Sequence, residues 1–343
     1  MLRLPPFDYH RPSSTAEVVA ILSDRGPAAR VVAGGTDLWP NMKRRHQKAE
    51  TVVSLMAIPD LSVVASTDDG QAARIGATTT LTAVASHPRL QTQYPAFTRA
   101  VRSISSPPLR NMGTLGGNLC LDTRCTYYNQ TEGWRRSIDY CMKEEGEVCW
   151  VAPSSPRCWA HTASDSAPIL CALGAEVRLE AREGDRIVAV TGLFRDDGIE
   201  YLNKRPDELL TDIYLPAESG ANHCRSSFWK LRRRGSIDFA VLSVAAAVWF
   251  DRSEHVERVS LYLGAVGSHP MPVAQAQEIL QGSRLTEDSI AEVAHAARRV
   301  ATPMDNTDFK GQWRGLMAER YTQAALREIA GLDTGTMPPN HLM

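Results

Sequence analysis

The feature that most constrains this chain is a thiol-rich stretch from Cys120 to Cys158, which holds five of its seven cysteines. The last four, Cys125, Cys141, Cys149 and Cys158, lie 16, 8 and 9 residues apart. Four thiolates suffice to hold one iron–sulfur cluster, and long loops can bring distant cysteines to it. Zinc is the second reading, weakened because structural zinc sites usually contain a short C-x2-4-C hairpin and this span has none. Disulfides come third, since residues 1–10 show no basic segment followed by an apolar run. Scattered buried cysteines fit poorly in a span rich in Arg, Glu and Ser, because such thiols prefer apolar elements. Tyr127, Tyr128, Trp134, Tyr140, Trp150 and Trp159 crowd the same span, where rings can pack an irregular segment and keep water from a sensitive centre. Arg124, Arg135, Arg136, Lys143 and Arg157 would offset the charge of four thiolates, although a mixed-charge surface loop accounts for the same residues.

The rest of the chain reads as a soluble α+β protein. Its 343 residues carry a formal net charge of −1 with both signs interspersed, which leaves no footprint for nucleic acid or an anionic membrane. No apolar run approaches the ~18 residues needed to span a bilayer. A cytoplasmic protein with reduced thiols is expected. The length suits two or three subdomains, and residues 333–343, with Gly, Thr and two Pro, read as a flexible tail.

Ser14-Thr15-Ala16-Glu17 is a capping box that opens a helix through Leu22, and Arg30–Ala33 reads as a buried strand. That strand ends on Gly34-Gly35-Thr36-Asp37-Leu38, a turn able to aim backbone N–H groups at a phosphate. The turn lacks the dinucleotide-fold and P-loop patterns, so a plain glycine turn explains it as well. Strands at Thr51–Leu55 and Arg74–Ala77 precede a helix capped by Thr78-Thr79-Thr80 and another at Pro95–Ser103. Residues 105–118 read as a long irregular stretch ending in a second glycine pair, Thr114-Leu115-Gly116-Gly117-Asn118, suited to close approach of a ligand. Asp165 reads as the N-cap of a helix through Leu173, with a ribose or ring hydrogen bond as its functional alternative, and Ala175–Glu180 and Ile187–Thr191 as strands. Composition shifts at residues 215–220. Beyond them Ser227–Leu231 and Val256–Ala265 alternate as strands, while Pro272–Leu280, Glu287–Val300 and Lys310–Ile329 have helical period. The basic run Lys230, Arg232, Arg233, Arg234 faces an anionic ligand or is an exposed strand end. No histidine spacing suits a metal, and no Ser/His/Asp order or nucleophile elbow is present, so no catalytic residue is assigned.

Taken together, Ala33-Gly34-Gly35-Thr36-Asp37-Leu38, Gly76-Ala77-Thr78-Thr79, residues Arg110 to Asn118, Ser164-Asp165 with Ala172-Leu173-Gly174-Ala175, and Lys230 ten residues before Ala240 resemble the FAD-binding medium subunit of the molybdenum hydroxylase family. The cysteine-bearing insertion, with Leu121-Asp122-Thr123-Arg124-Cys125 and Tyr128-Asn129-Gln130, is similar to the 4-hydroxybenzoyl-CoA reductase branch of that family. The resemblance implies a two-part FAD-binding α/β region over 1–216 (about 1–56 and 57–216), a [4Fe-4S] insertion at about 119–163, and a C-terminal α+β domain over 217–332. It further implies FAD contacts from Ala33, Gly34, Gly35, Thr36, Asp37, Leu38, Thr78, Asn111, Thr114, Gly117, Asn118, Asp165 and Lys230, and cluster ligation by Cys125, Cys141, Cys149 and Cys158. Cys120 is left to packing or to the flavin site, and Thr162-Ala163-Ser164-Asp165 departs from the family's usual Ser-Pro-x-Ser-Asp. The implied partners are a large molybdenum-cofactor subunit, a small subunit with two [2Fe-2S] clusters and ferredoxin as electron donor, in a dimer of heterotrimers. The implied reaction removes the phenolic hydroxyl of 4-hydroxybenzoyl-CoA. Oxidative hydroxylation of another aromatic or N-heterocyclic substrate by a related complex, and a zinc-stabilised binding module, stand as alternatives.

Overall fold

The computed structural model describes residues 2–67, 72–221 and 223–335; of the expected tail, 336–343 lie outside them. Three sheets organise the chain. The first is parallel, with Asp8–His10 (β1), Ala29–Val32 (β2) and Thr51–Ser54 (β3) in the order β1-β3-β2. Parallel sheets need cover on both faces. Helix α1 (Thr15–Arg25) covers one face, burying Val18, Val19 and Leu22 beside Ala29 and Val53. Met42, at the end of the short α2 (Leu38–Lys43), joins Phe7 and Trp39 over Val32 and Val52 on the other. The Ser14 hydroxyl accepts from the N–H of Glu17 at 3.3 Å, as the capping motif predicts. The Glu17 carboxylate turns instead to the N–H and hydroxyl of Ser13, so the box closes one residue early.

The second sheet is antiparallel: Val64–Ser66 (β4), Ala73–Gly76 (β5), Glu176–Ala181 (β6), Gly184–Ala189 (β7) and Leu209–Leu215 (β8) pair in the order β4-β5-β8-β6-β7. Between β5 and β6 the chain builds α3 (Leu81–Ser86), α4 (Pro88–Gln93) and α5 (Pro95–Arg102). The stretch expected to be irregular holds two further helices, α6 (Pro107–Arg110) and α7 (Leu115–Leu119). The second glycine pair is therefore the first turn of a helix and not a loop. Glycine is required there by packing, because a Cβ on Gly116 would lie 2.7 Å from that of Ala77. Then come α8 (Glu132–Ser137), inside the cysteine span, and α9 (Ser166–Ala172), every residue of which is buried. Ile75, Val177, Leu179 and Ile213 of the sheet pack with Phe97, Val101 and Leu170 of the helices in the largest core.

The third sheet runs β12-β11-β10-β9, antiparallel, from Cys224–Leu231 (β9), Leu242–Phe250 (β10), Val256–Gly264 (β11) and Met271–Pro272 (β12). Strand β10, unforeseen in the sequence, is buried along its whole length. Its Ala245, Ala247 and Trp249 enter the large core, while Val244, Ala246 and Val248 enter a second one beneath α10 (Gln275–Leu280), α11 (Glu287–Val300) and α12 (Gly311–Ile329). The two domains thus share one strand between two cores. Among the described residues no helix is long and apolar enough to cross a membrane.

Glu328, near the end of α12, fastens these layers. Its carboxylate accepts from Arg99 of α5 at 2.6 Å and from Ser227 Oγ (2.5 Å) and Trp229 Nε1 (2.8 Å) of β9. Burial opposes its ionisation, but these donors outweigh burial and hold the carboxyl below its usual 4.5. A depressed carboxylate gives stability that is complete above pH 4.5 and is lost as pH falls through the folded-state value. Glu328→Gln is expected to cost about 1–3 kcal/mol at neutral pH and to flatten the fall of unfolding free energy below pH 4.5. Urea titrations across pH check this, and an unchanged acid limb would refute it.

Candidate functional site

The two glycine-bearing segments meet. After β2 the chain turns through Gly34 and Gly35, the latter at φ +68°, where glycine carries no steric cost. Gly34 lies so close to the segment before α7 that a Cβ there would fall 1.6 Å from the Met112 carbonyl oxygen. That segment is in turn zipped to the end of β5 and the turn after it. Leu81 N–H donates to the Gly113 carbonyl (2.9 Å), Leu115 N–H to that of Thr79 (3.1 Å) and Gly116 N–H to that of Ala77 (2.9 Å). Thr114 Oγ1 caps α7 by accepting from Gly117 N–H. Asn118 Oδ1 accepts from Ser164 Oγ (3.0 Å), Ser166 N–H (3.1 Å) and Ser166 Oγ (2.6 Å), which brings α9 to the same place.

Asp165 occupies the N-cap position of α9 but does not cap it; Ser164 Oγ takes the Ala167 N–H instead. The Asp165 carboxylate is left to receive Lys230 Nζ at 2.8 Å, both side chains being buried. Lys230 is therefore no exposed strand end. Burial pushes Asp165 up, with Lys230 pulling the other way. Its Oδ1, like Thr79 Oγ1, is buried without a hydrogen-bond partner. Orphaned buried polar atoms are costly, and a bound group offering hydroxyls or N–H donors would satisfy them. Of the expected contacts, Gly34 to Leu38, Thr78, Thr114, Gly117, Asn118, Asp165 and Lys230 belong to this connected assembly. Asn111 points aside, exposed, its Oδ1 taken by Thr82 of α3.

The four later cysteines also come together. All are free and buried, and Cys125, Cys141 and Cys158 share one small core with Tyr128 and Ala160. Cys149 joins them by a hydrogen bond with Cys158, and its charge disfavours ionisation of Cys125 and Cys141. Each sulfur faces backbone N–H groups: those of Tyr127 and Tyr128 at Cys125, Lys143 at Cys141, Val151, Ala152 and Trp159 at Cys149, and Ala160 at Cys158. Such donors favour thiolates. Burial pushes the Cys125 thiol up to about 11, whereas the Cys158 thiol, donating to Cys149, pulls that group down to about 5. Asp139 and Tyr140, before Cys141, both hold positive φ (56° and 58°), conformations costing of order 1–3 kcal/mol each in a non-glycine residue. Gly198 sits against Cys158, where a Cβ would come within 2.6 Å of Sγ.

Among the described residues, no three or more His, Cys, Asp or Glu side chains form a group that could hold a metal ion.

The charged and aromatic residues of the span mostly anchor it. Arg124 pairs with Asp37, and Arg135 pairs with Glu144 while donating to the Arg44 carbonyl at 2.9 Å. Lys143 bonds Asp122 (2.8 Å) and the Gly198 carbonyl (2.5 Å). Lys143 and Arg135 still ease ionisation of Cys141. Tyr128 donates to the His46 carbonyl at 2.5 Å, and the His46 ring meets the Gln130 carbonyl; burial and Arg135 pull that histidine down to about 4. Of the six aromatics, Tyr127 and Tyr128 pack against the thiols. Trp134 and Trp150 are each 39 % exposed; Trp134 lies against Tyr127, and Trp150 Nε1 donates to the Tyr140 carbonyl at 2.6 Å.

Residues 5–218 match the family described as the FAD binding domain in molybdopterin dehydrogenase, and residues 226–329 the CO dehydrogenase flavoprotein C-terminal domain. The chain belongs to this family of FAD-binding subunits. It is 32% identical over 299 residues to the FAD-binding subunit of an aldehyde oxidoreductase from Escherichia coli, covering 84% of this chain and 91% of that one. With the medium chain of carbon monoxide dehydrogenase from Afipia carboxidovorans it shares 28% identity, covering 93% and 96%. The reconstituted CO dehydrogenase from Oligotropha carboxidovorans superposes with a TM-score of 0.78 at 25% identity, covering 96% of this chain and 100% of that one. A mixed α/β flavin-binding domain followed by a C-terminal domain of the CO dehydrogenase type is thus the fold of this subunit, as expected from sequence.

Several residues that shape the FAD-binding subunit were not singled out by sequence. Asn306 Nδ2 donates to the Trp159 carbonyl at 2.6 Å and its own carbonyl accepts Thr126 N–H at 2.8 Å, gripping the turns beside Cys158 and Cys125 from the C-terminal domain. Arg314, fully buried, donates to the carbonyls of Val241, Met304 and Ala265 and to Asn306 Oδ1. Nothing in their local sequence marks them; only the fold brings them there. Gly34→Ala is expected to displace the Met112 carbonyl, lowering stability by about 1–3 kcal/mol and weakening FAD binding. Denaturant unfolding and FAD titration of the variant check both effects.

Proposed function

We propose that this chain is the FAD- and [4Fe-4S]-carrying electron-transfer subunit of a molybdenum-containing 4-hydroxybenzoyl-CoA reductase. The observation that carries the reading is the convergence of four buried thiols, each facing backbone N–H groups, in an insertion rooted beside the flavin segments. Most of the relatives' names speak of FAD or of the medium chain; the cluster rests on Cys125, Cys141, Cys149 and Cys158 alone. Bound here, the two cofactors would supply one- and two-electron redox chemistry, which is theirs and not the protein's. The chain's own residues do the rest. Gly34, Gly35 and Thr36 would aim backbone N–H groups at a diphosphate, Asp165 and Thr79 offer unsatisfied polar atoms, and Tyr127 and Tyr128 pack against the thiols. The substrate would react not on this chain but in a large molybdenum-cofactor subunit. A small subunit with two [2Fe-2S] clusters would link the two, ferredoxin would be the donor, and a cytoplasmic dimer of heterotrimers the assembly.

A second reading is favoured by the name of one relative, the FAD-subunit of nicotinate dehydrogenase from Eubacterium barkeri. It makes this the FAD subunit of a hydroxylase oxidising an N-heterocyclic or other aromatic substrate. Turnover of the intact complex separates the two: reduction of 4-hydroxybenzoyl-CoA by reduced ferredoxin against oxidation of the heterocycle.

Anaerobically purified chain is expected to contain about four iron and four acid-labile sulfide per FAD. Flavin with zinc, or with no metal, would overturn the cluster. Cys141→Ser is expected to remove most of the iron and the ferredoxin-driven reduction while FAD stays bound, whereas Cys120→Ser keeps its iron; equal iron in both variants would count against the assigned ligands.

A further inference from the structure

The insertion touches the flavin segment through one side chain in particular. Arg124 directly precedes Cys125, and its backbone exchanges two hydrogen bonds of 2.9 Å with His161, three residues after Cys158. This rung closes the stem of the cysteine span. From the stem the buried Arg124 side chain reaches Asp37 in the turn after β2, and its guanidinium lies 4.9 Å from the ring centroid of Phe239 in the C-terminal domain. Three parts of the chain meet at one guanidinium.

Asp37 stands at the N-cap of α2 yet makes no capping bond. One carboxylate oxygen takes Arg124 and the other takes Asn41 Nδ2 at 2.8 Å. A carboxylate next to Gly34-Gly35-Thr36 would repel a diphosphate unless its charge were matched. Burial and the nearby Asp122 push the Asp37 carboxyl up, and Arg124 opposes them.

We infer that Arg124 is a positioning residue that couples the thiol site to the flavin cradle, by neutralising and orienting Asp37 from the stem that holds Cys125. The inference rests on the flavin-and-cluster reading above. Coupling of this kind is reciprocal: whatever orders the cysteine stem favours FAD, and FAD favours the ordered stem. Arginine suits the task because its planar fork serves a carboxylate and an aromatic face at once.

The test is FAD titration of the full chain, with visible circular dichroism of the bound flavin and iron content read on the same samples. Arg124→Met is expected to weaken FAD binding about tenfold or more and to alter the flavin dichroism. Arg124→Lys keeps the charge and should retain most of the affinity, which guards against a variant that merely fails to fold. Asp37→Asn in the Arg124→Met background should recover part of the loss, because it removes the unmatched charge; a purely structural role would instead add the two losses. Unchanged affinity in Arg124→Met, or additive losses in the double variant, would overturn the inference while leaving the flavin reading intact. A wild-type chain that takes up no FAD would overturn that reading itself, and with it the inference.

Discussion

The Asn118 carboxamide is the knot on which the architecture depends. Its oxygen collects three hydrogen bonds from Ser164 and Ser166, and the span it closes contains all four cysteines of the thiol site. A long excursion costs little extra entropy once its ends are fixed. The family's fold can therefore carry the cysteine span without deforming, since α7 and α9 meet across its root. The Arg124–His161 rung repeats the closure one step outward.

The large-scale plan was legible because it rests on local chemistry. The caps at Ser14 and Thr80, the helical period of 287–300 and the glycines before α2 are each read from a few neighbouring residues. Strand β10 escaped because it lies between two cores. Its two faces are both apolar, so Leu242–Phe250 shows no alternation, and its alanines carry no strand preference of their own. Helix α7 escaped for the opposite reason. Its Gly116-Gly117 pair has the composition of a loop, and only the closeness of Ala77 explains why glycine belongs in a helix there.

The site was legible as a set of segments and not as a set of bonds. Spacing alone allowed four thiols to meet, and they do, but the residues that hold them come from elsewhere: His46 and Arg44 beside α2, Gly198 before β8, Asn306 from the last third of the chain. Arginines expected to offset thiolate charge serve mainly as ties, since a buried guanidinium needs carbonyls and carboxylates around it. Asp165 illustrates how a local rule yields to a global one. Ser164 can cap α9 with a hydroxyl, which releases the carboxylate for Lys230 across the domain boundary.

The grip of Asn306 bears on the order in which the molecule is made. The turns beside Cys125 and Cys158 find their partner near the C-terminal end of the sequence, behind Arg314 and the final helix. A chain still emerging from the ribosome lacks that partner until residue 306 has been added. The cysteines are synthesised early but gain their final surroundings only when the finished chain folds.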